Sequence, residues 1–403
     1  MTAAYVRHLA VALEGAGWHP ASWREPQARP GELLTSRYWA DLVHEAESGL
    51  LDFVTIEDGL ALQSSAPGAP DDRLDQVRGR LDAVLIAARV APLTTRIGLV
   101  PVATVTHTEP FHISKALATL DYVSSGRAGW QAQVSRHNYE AALFGRRALP
   151  APRADDADVP QAPYPVQANT DLLEEAADFV EVVRRLWDSW EDDAEIRDVS
   201  TGRFIDRDRL HYIDFEGPWF KVKGPSITPR PPQGQPLVTA RAHGTRGYRF
   251  AVRSTDVVYV TPLDDQQARL IRAEVSQLEA ELRTSDEPLR IFADIVVFLD
   301  HDEGLARARK ARLDALDGAG YTSDAAVFVG TPSQLADLLL AWSGAGIDGF
   351  RLRPGALPHD LVAITRGLVP VLQGRDAFRR GYESTTLRGH LGLGRPANRF
   401  TSV

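Results

Sequence analysis

Short β-rich runs alternate with longer helical runs along almost the whole of this 403-residue chain, and that alternation restricts the fold more than any other feature. "YVRHLAVAL" reads as a first strand and "SRYWADLVHEAESGL" as an amphipathic helix. "LDFVTIED" is a second strand with "LDAVLIAARVAPLT" as its helix, and "RIGLVPVATV" a third with "EPFHISKALATLDYVS" as its helix. "GWQAQVS" is a fourth strand, paired with the helix "TDLLEEAADFVEVVRRLWDSW". Later come "PLVTARA", "DVVYVTP", "LRIFADIVVFLD" and "GFRLRP", each followed by a helical stretch. In "GTPSQLADLLLAW", Thr331 is the expected N-cap, Pro332 the first helical residue and Gln334 the partner in a capping box, while "SGAG" supplies a left-handed C-cap. Eight strand–helix pairs point to an α/β chain folded as a closed parallel (β/α)8 barrel, a TIM barrel occupying residues 1–403 as a single domain. A doubly wound open sheet is the alternative, because periodicity counts strands without showing closure. Residues 136–168, polar and proline-rich, read as a long loop after strand four and a candidate lid. Residues 191–235 read as a hairpin-bearing excursion before strand five.

Several function classes are excluded. A formal charge of −9 disfavours a phosphate-backbone partner. Cysteine is absent, which removes disulfides, thiolate chemistry and Cys-ligated metals. There is no apolar run of about 18 residues for a membrane span, and no secretory pattern at the N-terminus, so a cytoplasmic location is expected by default. Lysine occurs only at Lys115, Lys221, Lys223 and Lys310, and no Gly-Lys-Ser/Thr phosphate loop exists. Gly-x-Ser-x-Gly, His-Glu-x-x-His and a Gly-x-Gly-x-x-Gly after the first strand are all missing, and no metal site is expected.

In a barrel the chemistry sits at the C-terminal ends of the strands. That rule selects Trp18, His19, Trp23 and Arg24 after strand one, Glu57 and Asp58 after strand two, and Thr104, Thr106 and His107 after strand three. Strand four contributes Gln133, Ser135, Arg136, His137 and Asn138, and strand five Arg241 followed by "AHGTRG". Each has a plainer alternative. Asp58 before Gly59 fits a turn, His107 fits a solvent-facing loop, and Trp18 and Trp23 fit packing. "AHGTRG" fits helix capping, or equally a place where a phosphate meets backbone N–H groups.

The stretch "TTRIGLVPVATV" with "EPFHISKALATLDYVSSGRAGWQAQVS" resembles the flavin-dependent monooxygenases of the bacterial luciferase-like superfamily. The similar branch is that of nitrilotriacetate monooxygenase, pristinamycin synthase and dibenzothiophene-sulfone monooxygenase. "EAADFVEVVRRLWDSWEDDA" and "HYIDFEGPWFKVKGP…RPPQGQP" resemble the same branch, so the likeness runs from about residue 5 to 375. It implies a (β/α)8 barrel with an insertion, binding reduced FMN supplied by a separate flavin reductase. Dioxygen as co-substrate would add at the flavin C4a, and the resulting (hydro)peroxide would oxygenate a small organic molecule. Asp58 and Thr104 match flavin-contacting positions, and Ser135 matches the last serine of the branch motif. By analogy a homodimer is expected.

The departures are specific. Where the branch reads Asn-x-x-Thr-Ser, this chain reads Gln131, Ala132, Gln133, Val134 and Ser135. The flavin-contacting His and Tyr ahead of helix four align with Asn169 and Leu173. The Gly-Ser-Ser before helix five becomes Ala242, His243 and Gly244, leaving His243 and the N–H groups of Gly244 and Thr245 to meet a phosphate. His107, in place of what looks like a threonine, is the leading acid–base candidate, with His19 and His137 behind it. Trp18, Trp23, Tyr139 and Phe144 would suit an apolar substrate. Two further readings stand beside the monooxygenase: a deazaflavin-dependent oxidoreductase of the same superfamily, and a catalytically silent partner subunit or binding protein on the same barrel.

Overall fold

The computed structural model describes residues 5–66, 69–149 and 166–401, the side chains of 166–169 excepted. Strands β1 (His8–Leu13), β2 (Phe53–Ile56), β3 (Gly98–Thr104) and β4 (Gly129–Gln133) follow one another around a parallel sheet. Between β2 and β4 the chain forms α2 (Ala83–Val90) and α3 (Pro110–Val123), and α1 (Ser36–Ser48) links β1 to β2. After β4 come a short α4 (Asn138–Phe144) and the long α5 (Val166–Asp188). The segment expected as an excursion at 191–235 carries two small antiparallel ladders, β5 (Glu195–Asp198) with β6 (Arg203–Ile205) and β7 (Phe215–Glu216) with β8 (Lys221–Val222).

The barrel resumes with β9 (Leu237–Arg241), α6 (Gly244–Ser254), β10 (Val257–Val260), α7 (Asp265–Leu282), β11 (Arg290–Leu299) and α8 (Glu303–Asp317). A strand that periodicity did not reveal, β12 (Ala326–Gly330), precedes α9 (Pro332–Gly344) and β13 (Gly349–Pro354). Pairing of β13 with both β1 and β11, and of β10 with both β9 and β11, closes an eight-stranded barrel and removes the open-sheet alternative. β12 is a ninth strand outside that ring. The first half of the ten-residue β11 pairs with β10 and its second half with β12, so β11 overshoots the barrel mouth and carries β12 above it. Its burial pattern is only partial, which is why no clean period marked it. α9 has the expected capping box at Thr331 and Gln334, and Gly346 takes the left-handed conformation past its end.

The junction "SSGRAG" explains how β4 starts so close behind α3. Ser125 and Gly126 have φ of 56° and 84°, and the Gly126 N–H closes onto the Asp121 carbonyl at 2.9 Å. Arg127, buried, then donates to the Ala91, Thr94 and Ile97 carbonyls and the Thr94 hydroxyl, tying the turn to the connection between α2 and β3. Gly129 opens β4 at the floor of the barrel, where a Cβ would lie 3.0 Å from Leu387 Cδ2; at Gly98 it would lie 2.5 Å from Leu387 Cδ1. Leu387, on the short α10 (Leu387–His390), joins Phe53, Val100, Leu237, Tyr259 and Phe292 in a buried apolar cluster that seals the floor.

Two outcomes test this floor. Leu387→Ala empties space the strand-start glycines cannot refill and should cost about 2–5 kcal/mol in urea unfolding. Asp52 accepts from Leu9 N–H at 2.8 Å and from Arg379 at 2.7 Å. Burial pushes its carboxyl up, but Arg379 and His8 pull it further down, to about 2. A depressed carboxyl stabilises the fold above its ordinary value and loses that contribution as pH falls toward 2. Asp52→Asn should therefore flatten the acid side of the stability curve by about 2 kcal/mol in that window.

Candidate active site

Alternate residues of each barrel strand face inward, so the interior is built in layers. Above the apolar floor, one layer is polar almost all the way round: Thr55, Gln131, Thr239, Tyr259, Asp294 and Arg351, all fully or nearly fully buried. Arg351 donates in a fork to Asp294 at 2.7 and 2.6 Å, and its third nitrogen reaches Gln131 Oε1 at 2.6 Å and Glu57 Oε1 at 3.1 Å. Its guanidinium lies 3.9 Å from the centre of the Tyr259 ring. Two residues along β13, Arg353 shares Asp294 and reaches Asp324 at 2.6 Å, packed over Trp18. Burial opposes the charge on Asp294, but Arg351 and Arg353 reverse that and hold its carboxyl below the ordinary value. Of these groups the sequence singled out Glu57 and Trp18 at strand ends and Gln131 as a departure from the branch motif, but not Thr55, Thr239, Tyr259, Asp294, Asp324, Arg351 or Arg353. Arg351 and Arg353 at period two within "GFRLRP", and a lone Asp294 within "FADIVVF", were the signal.

The rim lies one layer higher. Gln133 Nε2 donates to the Asp58 carbonyl at 3.2 Å, and its Oε1 accepts from Arg241 at 3.3 Å; Thr104 is its register partner on β3. Arg241 also lies 3.9 Å from Glu57. The ends of β2, β3, β4 and β9 are thus joined through Asp58, Thr104, Gln133 and Arg241. Asp58 is more than a turn former: its carboxylate accepts from Gly59 N–H at 2.7 Å and from Ala83 N–H at 2.9 Å, pinning the connection to the start of α2. Burial raises its carboxyl against those two hydrogen bonds. Beyond the rim, the Ser135 N–H donates to the Thr106 hydroxyl at 3.0 Å and the Ser135 hydroxyl binds Glu140.

The three histidines part company. His107 is 7 % exposed, not a solvent-facing loop residue, and stacks on Phe144 with ring centres 5.4 Å apart. Its buried Nε2 has no hydrogen-bond partner among the described residues. His19 has both nitrogens committed, to Asp314 at 3.1 Å and to the Ala21 N–H at 3.1 Å, and packs against Phe298 and Tyr321. It lies in the connection after β1, against α8, apart from the joined rim residues. His137 caps α4 and stacks on Tyr139 at 4.9 Å. Trp18 and Trp23 serve packing, their indole N–H groups donating to the Ala12 and Asp75 carbonyls.

At the start of α6, Gly244 has φ of 63° with open space where a Cβ would stand, and no side chain caps the helix. His243 Nδ1 meets the Thr261 hydroxyl at 3.2 Å, and the Thr245 hydroxyl donates to Glu274 at 2.5 Å. The His243 side chain makes no cap to the first turn of α6, and its Nε2 lies 3.7 Å from Asp324. Asn169 falls in α5 with its side chain outside the described residues, as are residues 150–165 of the excursion expected at 136–168. Among the described residues no cluster has metal-ligand character, and no helix is long and apolar enough to cross a membrane.

The profile of the luciferase-like monooxygenases matches residues 18–321. The chain belongs to that family. It is 29% identical to N-acetyl-S-(2-succino)cysteine monooxygenase of Bacillus subtilis (strain 168), covering 97% of this chain and 98% of the relative. It is likewise 29% identical to nitrilotriacetate monooxygenase component A of Aminobacter aminovorans, covering 97% of each. The EDTA monooxygenase structure from Chelativorans sp. BNC1 superposes with a TM-score of 0.82 at 22% identity, over 97% of this chain and 99% of that one, and shows the same fold. This protein is therefore an enzyme of the flavin-dependent monooxygenase class.

The polar layer of this monooxygenase is directly testable. Asp294→Asn leaves two buried guanidinium groups short of a counter-charge and should lower stability by about 3–5 kcal/mol in denaturant unfolding.

Proposed function

We propose that the protein is the oxygenating component of a two-component system. It receives reduced FMN from a separate flavin reductase and uses dioxygen to insert one oxygen atom into a small organic molecule. The observation that carries this reading is the joined polar rim, Asp58–Gln133–Arg241 with Thr104, standing over the buried Arg351–Asp294 layer in a luciferase-like barrel. Its mixed donors and acceptors suit the polar edge of an isoalloxazine, and the uncapped start of α6 suits an anionic tail.

In this reading Asp58, Thr104, Gln133 and Ser135 border the ring system, while His243, Gly244 and Thr245 meet the phosphate. Reduced flavin, when bound, supplies the electrons that activate dioxygen. The chain's own work is to orient and to exclude water. Gln133 holds the rim by bridging the Asp58 carbonyl to Arg241, and Asp58 fixes the β2 connection to α2. The buried Arg351–Asp294 pair below fills the middle of the barrel beneath the rim.

The names of two relatives, nitrilotriacetate and N-acetyl-S-(2-succino)cysteine monooxygenase, give a first panel of carboxylate-bearing substrates, and dibenzothiophene sulfone gives an apolar contrast. With NADH, FMN and a reductase, at least one panel member should gain an oxygen from labelled dioxygen, detected by mass spectrometry. Failure of every compound, together with unchanged air oxidation of photoreduced FMN on adding the protein, would sink the reading. Gln133→Ala should weaken binding of reduced FMN about tenfold, in anaerobic titration, while thermal unfolding moves little.

A further inference from the structure

One side chain at the mouth carries two costs that nothing among the described residues offsets. His107, three residues past the end of β3, has φ of 71°, a conformation that costs a non-glycine residue about 1 kcal/mol. Its Nε2 is buried without a hydrogen-bond partner among the described residues, which costs about 1–3 kcal/mol more. Strain and an orphaned polar atom on the same residue, at the rim where barrels place their chemistry, call for a ligand atom that completes the set. His19 supplies the contrast: equally buried, it has a partner at each nitrogen.

The surroundings hold His107 in place without satisfying it. The ring of Phe144, at the end of α4, lies 5.4 Å away and 23° from parallel. Of the charged groups on the neighbouring segments, Arg147, Arg146, Glu109, Glu140 and Glu175 are all paired. Arg147 binds both oxygens of Glu175 at 2.9 and 2.8 Å, Arg146 binds Glu109 at 2.5 Å, and Glu140 takes the Ser135 hydroxyl. Burial pushes the His107 pKa below the ordinary histidine value, and the Arg147 guanidinium pushes it the same way. The imidazole is thus neutral at physiological pH, with a nitrogen free to act.

We propose that His107 is a catalytic residue whose Nε2 hydrogen-bonds an oxygen of the bound reactants, and that Phe144 is the positioning residue that holds the ring for that contact. The oxygen comes from dioxygen or from the organic substrate, and the two sources separate experimentally. The proposal rests on the flavin reading above.

The test has a flavin-free arm and a loaded arm. Imidazole NMR of the flavin-free protein gives the pKa of His107 directly. Hydrogen peroxide release is then followed after photoreduced FMN on the protein is mixed with aerated buffer, from about pH 5 to pH 8, without and with nitrilotriacetate. In wild type the release should follow one ionisation whose midpoint matches the NMR value. His107→Gln should remove that ionisation and change the peroxide yield about tenfold. Phe144→Leu should thin the cover over the ring, moving the NMR pKa and the kinetic midpoint upward together, which a role in packing alone would not do. An effect of His107→Gln without nitrilotriacetate assigns the dioxygen-derived oxygen; an effect only with it assigns the organic substrate. A His107→Gln profile that superimposes on wild type in both arms overturns the proposal. If wild type itself leaves FMN oxidation as it is in free solution, the flavin reading falls and takes this inference with it.

Discussion

The interaction on which the rest of the structure depends is the forked pair between Arg351 and Asp294 in the middle of the barrel. β11 and β13 are register partners at these two residues, so the pair forms only when those strands are aligned in one way. Arg351 then spends its remaining donors on Gln131 of β4 and Glu57 at the end of β2, across the interior. One guanidinium therefore links four strands that are far apart in sequence. The desolvation of such a group is expensive, and a packed apolar layer could be as stable. What the ionic layer adds is geometry, because an apolar contact tolerates a slip that a bidentate pair does not.

That layer also divides the barrel by function. Below it the inward positions are Phe53, Val100, Leu237 and Phe292, closed by Leu387 from the C-terminal segment, and this end only has to be tight. Above it, the strand ends carry Thr104, Gln133 and Arg241, whose hydrogen bonds are fewer and longer. His107 stands at the extreme of this trend, with no partner at its buried Nε2 among the described residues. Most polar groups of the scaffold layer are satisfied within it, the Tyr259 hydroxyl excepted, and those left short at the rim are where a ligand can gain most.

Much of this was legible from residue patterns. The eight barrel strands, the capping box at Thr331 and Gln334, and the sharp exit from α3 through Ser125 and Gly126 follow from local propensity and turn chemistry. The family was legible through the resemblance of this and the companion stretches to the branch motif, and the structure shows what "LDYVSSGRAGW" does: a helix stop, the Arg127 anchor and the glycine that makes room for Leu387. β12 was not legible, since a strand that sits above the barrel on the overshoot of β11 has no regular inside and outside. Nor were the separate fates of His19 and His107: both follow a strand end, and nothing in their neighbours along the chain indicates that Asp314, almost three hundred residues away, satisfies one of them.

The sequence by itself determined the eight alternating strand–helix units of an α/β chain and, through its resemblance to the branch motif, the family, while closure of the sheet waited for the pairing of β13 with β1. Hydrophobic periodicity, caps and turns act over a few residues, and a motif is itself a run of neighbours. Only the tertiary structure decided which polar residues are scaffold and which are free to react. Gln131 and Gln133 illustrate the point, two residues apart on one strand and both facing inward. Gln131 lies deep enough to be taken by Arg351, whereas Gln133 reaches the rim and bridges Asp58 to Arg241. The difference is depth within the barrel, a property of strands brought together from across the chain.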